Sequence, residues 1–118
     1  MVTRKGKKKT GGKYIQARKK KLCERAGQRR AVKLGDDKRK TLRTRGGNSK
    51  TFNLKSKTVN VNGKKLEIKN VLETPSNRFL ARQNILTKGT IVETTSGKIK
   101  ITNRPSQEGV VNGILLKE

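Results

Sequence analysis

Two arginines and two adjacent glycines in residues 42–50, which read LRTRGGNSK, have the chemistry to bind phosphate. Arg43 and Arg45 have the spacing of a strand, so in an extended chain both guanidinium groups point to the same side, where each can hold a phosphate with two hydrogen bonds. Gly46 and Gly47 would then provide a bend or a close approach of the backbone. An ordinary Gly-Gly turn leading into a folded domain explains the same residues, and the two interpretations are compatible.

A second candidate, residues 5–14, combines lysines with glycines in the order KGKKKTGGKY. It is superficially like a nucleotide-binding P-loop, because four residues separate Gly6 from Gly11. Gly12 stands where that loop requires lysine, however, and no apolar strand precedes it, which argues against nucleotide hydrolysis. The segment could be a disordered basic tail, or an ordered contact in which backbone N–H groups approach phosphates. Tyr14 could stack on an unpaired base or anchor the segment on the folded domain.

Charged residues between these two candidates carry less information. Four basic residues could contact phosphates or form a solvated basic run, and their pattern does not decide between the two: Arg25, Arg29, Arg30 and Lys33. Asp36 and Asp37 interrupt the charge and could cap, turn or hold neighbouring basic side chains. Two adjacent carboxylates without histidine are poor evidence for a metal site.

Catalysis and metal binding are disfavoured by residue types that the chain lacks. It has no histidine, the commonest general base and metal ligand, and it has one cysteine, Cys23. A zinc site needs about four nitrogen or sulfur ligands, and a thiol nucleophile would have no histidine to activate it. We therefore expect no catalytic residue, no cofactor, no metal site and no small-molecule substrate. A lone cysteine suits a reducing cytoplasm.

The net charge of the chain is +24, from 32 lysines and arginines and 8 acidic residues. Neutralising phosphates releases counterions and strengthens binding as salt falls, so such charge favours a nucleic acid as the partner. No membrane surface needs this charge over a whole chain, and no run of 18 apolar residues is present to span a membrane. Composition barely separates an RNA-binding protein from an architectural DNA-binding protein of chromatin, which stays open as the alternative.

The charge divides the chain into two parts. Residues 1–50 hold 20 basic and 3 acidic residues, a net charge of +17, whereas residues 51–118 hold 12 and 5, a net charge of +7. The first part has too few apolar residues to offset the entropy lost on ordering it. We predict a basic RNA- or DNA-binding arm over residues 1–40, mostly extended and disordered when free, and a β-barrel domain over residues 41–118.

The first of two predicted β-hairpins is centred on Asn62-Gly63, a pair that suits a type I′ turn because both positions need positive φ. In this register Val61 faces Lys64 and Val59 faces Leu66. The apolar residues then share one face of the ribbon, as a half-buried hairpin requires.

The second hairpin is predicted around Ser96-Gly97, with Thr94 facing Ile99 and Val92 facing Ile101. Its apolar residues again fall on one side. Several short strands with closely spaced turns indicate a small barrel or sandwich. The fold class that we predict is mainly β, a small β-barrel with a long basic arm.

Further elements are less regular. Additional strands are predicted near residues 78–86 and 110–116, and residues 70–73 could extend the first hairpin. Residues 14–26 could form a short helix, but consecutive lysines in it repel one another, so we expect it to depend on bound phosphates.

Aromatic residues are too few for base recognition across a sheet. Only Tyr14, Phe52 and Phe79 are aromatic, and the two phenylalanines are expected to pack inside. RNA-binding modules that stack bases on a sheet need aromatic residues at regular strand positions. We therefore expect recognition of the nucleic-acid backbone and shape.

Several motifs, in this order and at this spacing, resemble one protein family. They are TGGKY at 10–14, RKKK at 18–21, LG at 34–35, RTRGGN at 43–48, NRF at 77–79, TKG at 87–89 and GVVN at 109–112. Over nearly the full chain the sequence resembles the small ribosomal subunit protein family numbered eight in the eukaryotic and archaeal series. It is similar to the archaeal form, since eukaryotic members carry a long insertion that is absent here.

The resemblance implies a β-barrel whose basic N-terminal extension follows small-subunit (16S-type) rRNA, with a structural role in translation and subunit assembly and no catalysis. It also implies neighbouring small-subunit ribosomal proteins as partners, and a cytoplasmic location within the small subunit. By likeness, RNA contacts lie at Thr10–Tyr14, Arg18–Lys21 and Arg43–Asn48. With the basic residues around them, the predicted RNA-binding set is Arg4, Lys5, Lys7, Lys8, Lys9, Thr10, Gly11, Gly12, Lys13, Tyr14, Arg18, Lys19, Lys20, Lys21, Arg25, Arg29, Arg30, Lys38, Arg39, Lys40, Arg43, Arg45, Gly46, Gly47, Asn48 and Lys50.

Overall fold

The computed structural model describes residues 6–14 and 18–116, and the fold is mainly β, as the sequence predicts. Within these residues, 3₁₀ turns lie at Leu22–Glu24 and Arg45–Gly47. The strands and the single short helix of the described part are β1 (Val32–Leu34), β2 (Lys38–Arg43), β3 (Ser49–Ser56), β4 (Thr58–Val61), β5 (Lys64–Glu73), α1 (Arg78–Arg82), β6 (Ile85–Leu86), β7 (Ile91–Thr94), β8 (Gly97–Ile101) and β9 (Gly113–Leu115).

Five strands form a sheet that nearly closes on itself, in the order β4-β5-β7-β8-β9 with every neighbouring pair antiparallel. Its two ends meet at a parallel bridge between Asn60 of β4 and Asn112, next to β9. The Asn60 backbone N–H donates to the carbonyl oxygen of Val111 at 2.8 Å, and the Asn60 side-chain amide donates to Asn112 Oδ1 at 3.3 Å. This barrel-like closure agrees with the predicted small barrel.

Most of the core lies inside this sheet, because alternate residues along each strand face inward, and residues of β1 and β6 pack into the same cluster. Val59, Val92 and Ile99 are completely buried. A Cβ at Gly113 would collide with the Ile99 side chain, so the seam between β8 and β4 requires glycine there. The other buried members of the same cluster are Val32, Val61, Ile68, Val71, Leu86, Ile101 and Val111.

The first predicted hairpin is confirmed. Val59 pairs with Leu66, and the turn residues Asn62 and Gly63 have φ values of 48° and 78°, as a type I′ turn requires. The proposed extension through residues 70–73 is also confirmed, since β5 continues to Glu73.

The second hairpin exists, but its predicted register is wrong by two residues. Thr94 pairs with Gly97 and Val92 pairs with Ile99, so the turn lies one residue earlier than predicted. The Thr94 hydroxyl fixes this turn, because it accepts a hydrogen bond from the Ser96 N–H at 3.3 Å and donates to the Gly97 carbonyl at 2.8 Å. A shift of two preserves the face of every side chain, so the apolar residues are still buried.

The strand predicted over residues 78–86 is wrong in its first part. Arg78–Arg82 form α1 and only Ile85–Leu86 form a strand. Asn77 starts the helix, because its Oδ1 accepts a hydrogen bond from the Phe79 N–H at 2.9 Å. Phe79 is 53% exposed, so its expected place in the interior is wrong too, since a helical turn replaces the alternation of a strand.

Two other predicted elements are found in shorter form. The strand predicted over residues 110–116 is confirmed as Gly113–Leu115. The helix that residues 14–26 could form is reduced, in the described part of that range, to the 3₁₀ turn at Leu22–Glu24, and residues 15–17 lie outside the described residues.

A second sheet, in the order β2-β3-β1-β6, carries the ribbon of β2 and β3. Asp37 secures the connection before β2, because its Oδ1 accepts hydrogen bonds from Ser56 Oγ at 3.1 Å and from the Lys57 N–H at 2.9 Å. The sequence suggests that the acidic pair caps, turns or holds neighbouring basic side chains, whereas Asp37 instead joins the start of β2 to residues 19 and 20 positions away. Both β1 and the start of β2 precede residue 40, but the division of the free chain at that residue stays a prediction.

Candidate nucleic-acid interface

The LRTRGGNSK stretch forms the end of the ribbon made by β2 and β3. The Thr44 N–H donates to the carbonyl oxygen of Asn48 at 2.7 Å, which closes a loop over Arg45–Gly47. Gly46 and Gly47 have φ values of 76° and 77°, a conformation that costs an L side chain roughly 1–2 kcal/mol. The glycine pair is therefore a turn, and the whole loop is exposed to a potential ligand.

Arg43 and Arg45 do not lie together in an extended strand. Arg43 is the last residue of β2 and Arg45 belongs to the loop, so their predicted strand spacing is wrong because the chain leaves the strand at Thr44. Every residue of β2 is exposed, and alternation places Arg39 and Arg43 on one face of the ribbon and Lys40 on the other. The ribbon thus carries positive charge on both faces.

Residues 7–13 form a second tight turn. The Gly11 N–H donates to the Lys8 carbonyl at 2.9 Å, and the Lys8 N–H donates to the Gly12 carbonyl at 2.8 Å. Gly11 has a φ of 76°, which suits a three-residue hairpin loop that ends in a left-handed residue. The glycines therefore shape a hairpin loop in place of the strand-to-helix connection that a P-loop needs, and the loop is exposed.

Tyr14 follows this turn and is 39% exposed. Lys8 Nζ lies 5.9 Å from the centre of its ring, close to the outer limit of a cation–π contact. The cation that approaches the ring thus comes from its own turn. Both predicted roles of Tyr14, base stacking and anchoring, stay open.

Arg18 pairs with Glu24 through both ends of its guanidinium, Nη1 to Oε2 at 2.9 Å and Nη2 to Oε1 at 2.7 Å. Glu24 Oε2 also accepts the Lys21 N–H at 3.1 Å. The hydrogen bond from the Arg18 side chain holds the pKa of Glu24 below its ordinary value, and the Lys21 N–H lowers it further by a smaller amount. In return, Glu24 raises the pKa of Arg18. Such exposed pairs stabilise a fold weakly, so a phosphate can compete with Glu24 for this arginine.

Arg30 is the residue that joins the basic segment to the β domain. Its guanidinium carbon lies 3.8 Å from the centre of the Phe52 ring, and Phe52 is only 2% exposed. The planar cation therefore covers the ring by stacking on it. The sequence suggests phosphate binding or a solvated run for Arg30, and no pattern in it marks a partner 22 positions away in the chain.

Residues 28–31 run between two open grooves. One groove, of about 350 Å³, has Leu80 and Gln107 on its far side, and the other, of about 390 Å³, has Lys40 and Leu42 of the ribbon. At the first groove Lys50 donates a hydrogen bond to Gln107 Oε1. Arg29, Arg30, Lys40 and Lys50 thus lie around one side of the β domain.

Every predicted RNA-binding residue in the described part of the chain is exposed. The structure brings residues 28–31 beside the ribbon, but among the described residues no hydrogen bond, ion pair or ring contact joins the turn at residues 7–13 to the ribbon. Arg4 and Lys5 lie outside the described residues. RNA contact by the predicted set stays a prediction.

Metal binding and membrane insertion find no support in the same described residues. No group of three or more His, Cys, Asp or Glu side chains lies close enough together there to hold a metal ion. In that part of the chain, no helix has the length and apolar character needed to cross a membrane. Cys23 is exposed and is not in a disulfide.

The nearly closed five-stranded sheet and the exposed cationic ribbon of the second sheet define a small, strongly basic protein with a barrel-like β fold. The chain belongs to the ribosomal protein S8e family, whose model matches residues 2–116. The small ribosomal subunit protein eS8 of Nanoarchaeum equitans is 46% identical over 114 residues, which cover 92% of this chain and 90% of that protein. The protein of the same name from Methanococcus aeolicus is 42% identical over 119 residues, covering 95% of this chain and 93% of the relative.

The family resemblance that the sequence motifs carry is therefore confirmed. Ribosomal proteins of this family are generally non-enzymatic. The chromatin alternative receives no support from these comparisons.

Proposed function

We propose that this protein is a structural component of the small ribosomal subunit that binds and stabilises 16S-type rRNA through its basic N-terminal arm. The observation that carries the proposal is membership of the ribosomal protein S8e family over residues 2–116. Both relatives described above are named as small-subunit proteins. The protein then works in translation and subunit assembly in the cytoplasm, with neighbouring small-subunit proteins as further partners.

Charge neutralisation is the proposed source of affinity. Of the net charge of +24, residues 1–50 carry +17. Each phosphate that a lysine or arginine neutralises releases condensed counterions, so affinity falls steeply as salt rises. The exposure of all the described cations in the predicted set supports this mechanism.

Ordering of the arm is proposed to accompany RNA binding. None of the described residues between 6 and 31 is buried, so that segment gains little apolar burial to offset its ordering entropy. Arg30 holds the end of the segment on Phe52. The arm would therefore leave the β domain in a defined direction and become ordered as phosphates pair with its cations, which would hold neighbouring rRNA helices together.

The arm, predicted over residues 1–40, is proposed to provide the extended contact. The β domain, which also includes β1 and all of β2, is proposed to position it. The loop Arg45–Gly47 presents the second contact, with Arg43 beside it as a phosphate ligand. The turn and the proposed backbone contact are compatible in this arrangement, since the turn is exposed.

Co-sedimentation tests the proposal. We expect the protein to travel with 30S-type particles, to stay bound at moderate salt and to be released by RNase. A triple variant, Lys8→Ala, Lys9→Ala and Lys13→Ala, should bind rRNA more weakly and with a shallower salt dependence. In a plot of the logarithm of the binding constant against the logarithm of the salt concentration, the magnitude of the slope should fall by up to roughly 0.9 for each phosphate that the variant no longer neutralises.

The matched control removes the same charge from the exposed lysines of β5, through Lys64→Ala, Lys65→Ala and Lys69→Ala. We expect this control to change the slope less than the arm variant does. Recovery of the protein only from ribosome-free fractions, or equal effects of the two triple variants, would contradict the proposal that the arm binds rRNA.

A further inference from the structure

Phe79 is an aromatic residue on the outside of the β domain that the arm does not involve. It lies in α1 and is 53% exposed. Single exposed apolar residues are common on protein surfaces, so exposure alone assigns nothing. The surroundings of the ring are more informative.

The helix is held so that Phe79 stays outside. Ala81 packs against the core cluster, and Leu80 lines the groove shared with residues 28–31. Asn77 fixes the first turn of the helix through its hydrogen bond to the Phe79 N–H. The outward position of the ring therefore follows from the packing of the two residues after it and from the cap before it.

Two guanidinium groups lie over this ring at a longer distance than a close stack. The guanidinium carbon of Arg78 lies 5.4 Å and that of Arg82 lies 5.9 Å from the ring centre. The arginine on Phe52 lies at 3.8 Å, and that ring is 2% exposed. Phe79 thus keeps more than half of its surface exposed while two cations lie 5.4 and 5.9 Å from its ring centre.

An open groove of about 440 Å³ adjoins this face, and Arg78 and Arg82 form part of its wall. Leu72, itself 43% exposed, provides an apolar surface in it. Asn70 and Asn84 also line the groove. Side-chain amides can both donate and accept hydrogen bonds, and the Asn70 Oδ1 already accepts one from the Val71 N–H at 2.9 Å.

We propose that Phe79, Arg78 and Arg82 form a second RNA-binding site, which takes one unpaired nucleotide. The base stacks on the Phe79 ring, the guanidinium groups pair with the flanking phosphates, and the groove amides face the edge of the base. None of these three residues belongs to the RNA-binding set that the sequence predicts, since a strand at this position would have placed Phe79 in the core.

The charges around the ring favour a nucleotide over an apolar protein segment. Glu73 is the acidic residue in the groove, against the two arginines that flank the ring. An apolar partner would have to bury two guanidinium groups without phosphates to pair them, which is costly. This inference depends on the proposed function in one respect, which is that the partner is RNA.

The test compares two RNAs with the full chain at one salt concentration: a short duplex, and the same duplex carrying one unpaired adenosine. Stacking of one base corresponds to an affinity change of roughly 5- to 150-fold, so the wild type should bind the bulged duplex at least about five-fold more tightly. Phe79→Leu, which keeps the apolar surface without an aromatic face, should abolish that preference. Phe79→Trp should keep it.

The arm variant Lys8→Ala, Lys9→Ala, Lys13→Ala separates this site from the proposed function. It should weaken binding of both duplexes by the same factor and retain the preference for the bulge. Equal binding of both duplexes by the wild type, or a preference that survives Phe79→Leu, would overturn the second site and leave the arm proposal intact. Failure to bind either RNA would instead contradict the proposed function itself, and the site with it. A thermal unfolding curve for each variant checks that it is folded.

Discussion

The guanidinium of Arg30 stacks 3.8 Å above the ring of Phe52, and this contact connects an exposed basic segment to the interior of the β domain. Phe52 belongs to β3, in the ribbon that also carries the Arg45–Gly47 loop. The Arg30 side chain therefore places the end of the arm beside the ribbon of β2 and β3.

Replacing Arg30 with alanine should lower the free energy of unfolding of the β domain. The decrease should be about 1 kcal/mol, because a cation–π contact of this kind contributes roughly 0.5–2 kcal/mol and its removal also exposes one face of Phe52. Denaturant unfolding followed by circular dichroism measures it. Arg29→Ala is the matched control, since it removes the same charge one residue away, and equal decreases in both variants would show that the ring contact is not stabilising.

Alanine at Gly46 or Gly47 should destabilise the ribbon by about 1 kcal/mol each, because left-handed backbone costs an L residue roughly that much. Asparagine should cost less, since it tolerates this conformation better. Gly27→Ala is the control, because a Cβ there would meet no atom within 4 Å and its φ is not in the left-handed region. If Gly27→Ala were as destabilising as Gly46→Ala in thermal unfolding, the conformational account would fail.

The carboxyl group of Glu24 should titrate with a midpoint below the ordinary value of a glutamate. Its folded pKa is lowered, chiefly by Arg18, so its contribution to local order is present above the unfolded pKa and is lost as the pH falls through the folded pKa. NMR of the side-chain carboxyl carbon measures the midpoint. Arg18→Gln should move it back towards the ordinary value, whereas Arg25→Gln should move it little, and salt should weaken the effect of Arg18.

Amide hydrogen exchange should locate where the folded domain begins in the free chain. The Leu34 N–H donates to the Asn84 carbonyl at 2.9 Å, and the nearby Val32 is 1% exposed. We expect Leu34 to exchange slowly and residues 25–31 to exchange at nearly the rate of an unfolded chain. Val92, which is completely buried in β7, is the internal reference. Rapid exchange at Leu34 with slow exchange at Val92 would contradict this expectation and would place the start of the folded domain near the predicted residue 40.

The fold could be predicted from sequence wherever the deciding interactions are local. Asn62-Gly63 fixes the first hairpin because the turn itself demands positive φ, and alternation then sets the register. At the second hairpin the deciding group is the Thr94 hydroxyl, which bonds to the turn backbone. Two registers that differ by two residues bury the same face, so alternation could not choose between them.

At the candidate site too, contacts between residues far apart in the chain could not be predicted from the sequence. Composition identifies the basic residues, because net charge is a property of the sequence alone. The stacking of Arg30 on Phe52 and the bond from Lys50 to Gln107 depend on how strands are arranged in space. Phe79 would lie in the core only if its neighbours formed a strand, and the Asn77 cap is the local signal that points to a helix.

The bridge between Asn60 and Asn112 joins the two edges of the five-stranded sheet. In the described part of the structure, the second sheet keeps two unpaired edges, β2 with six residues and β6 with two, so β2 is the longer one. An unpaired edge is a template on which a second copy of a protein can add a strand and begin to aggregate. Lysine and arginine occupy four of the six positions of β2. The cations that we propose to meet rRNA would thus also keep newly made copies of the protein from pairing edge to edge before any RNA is bound.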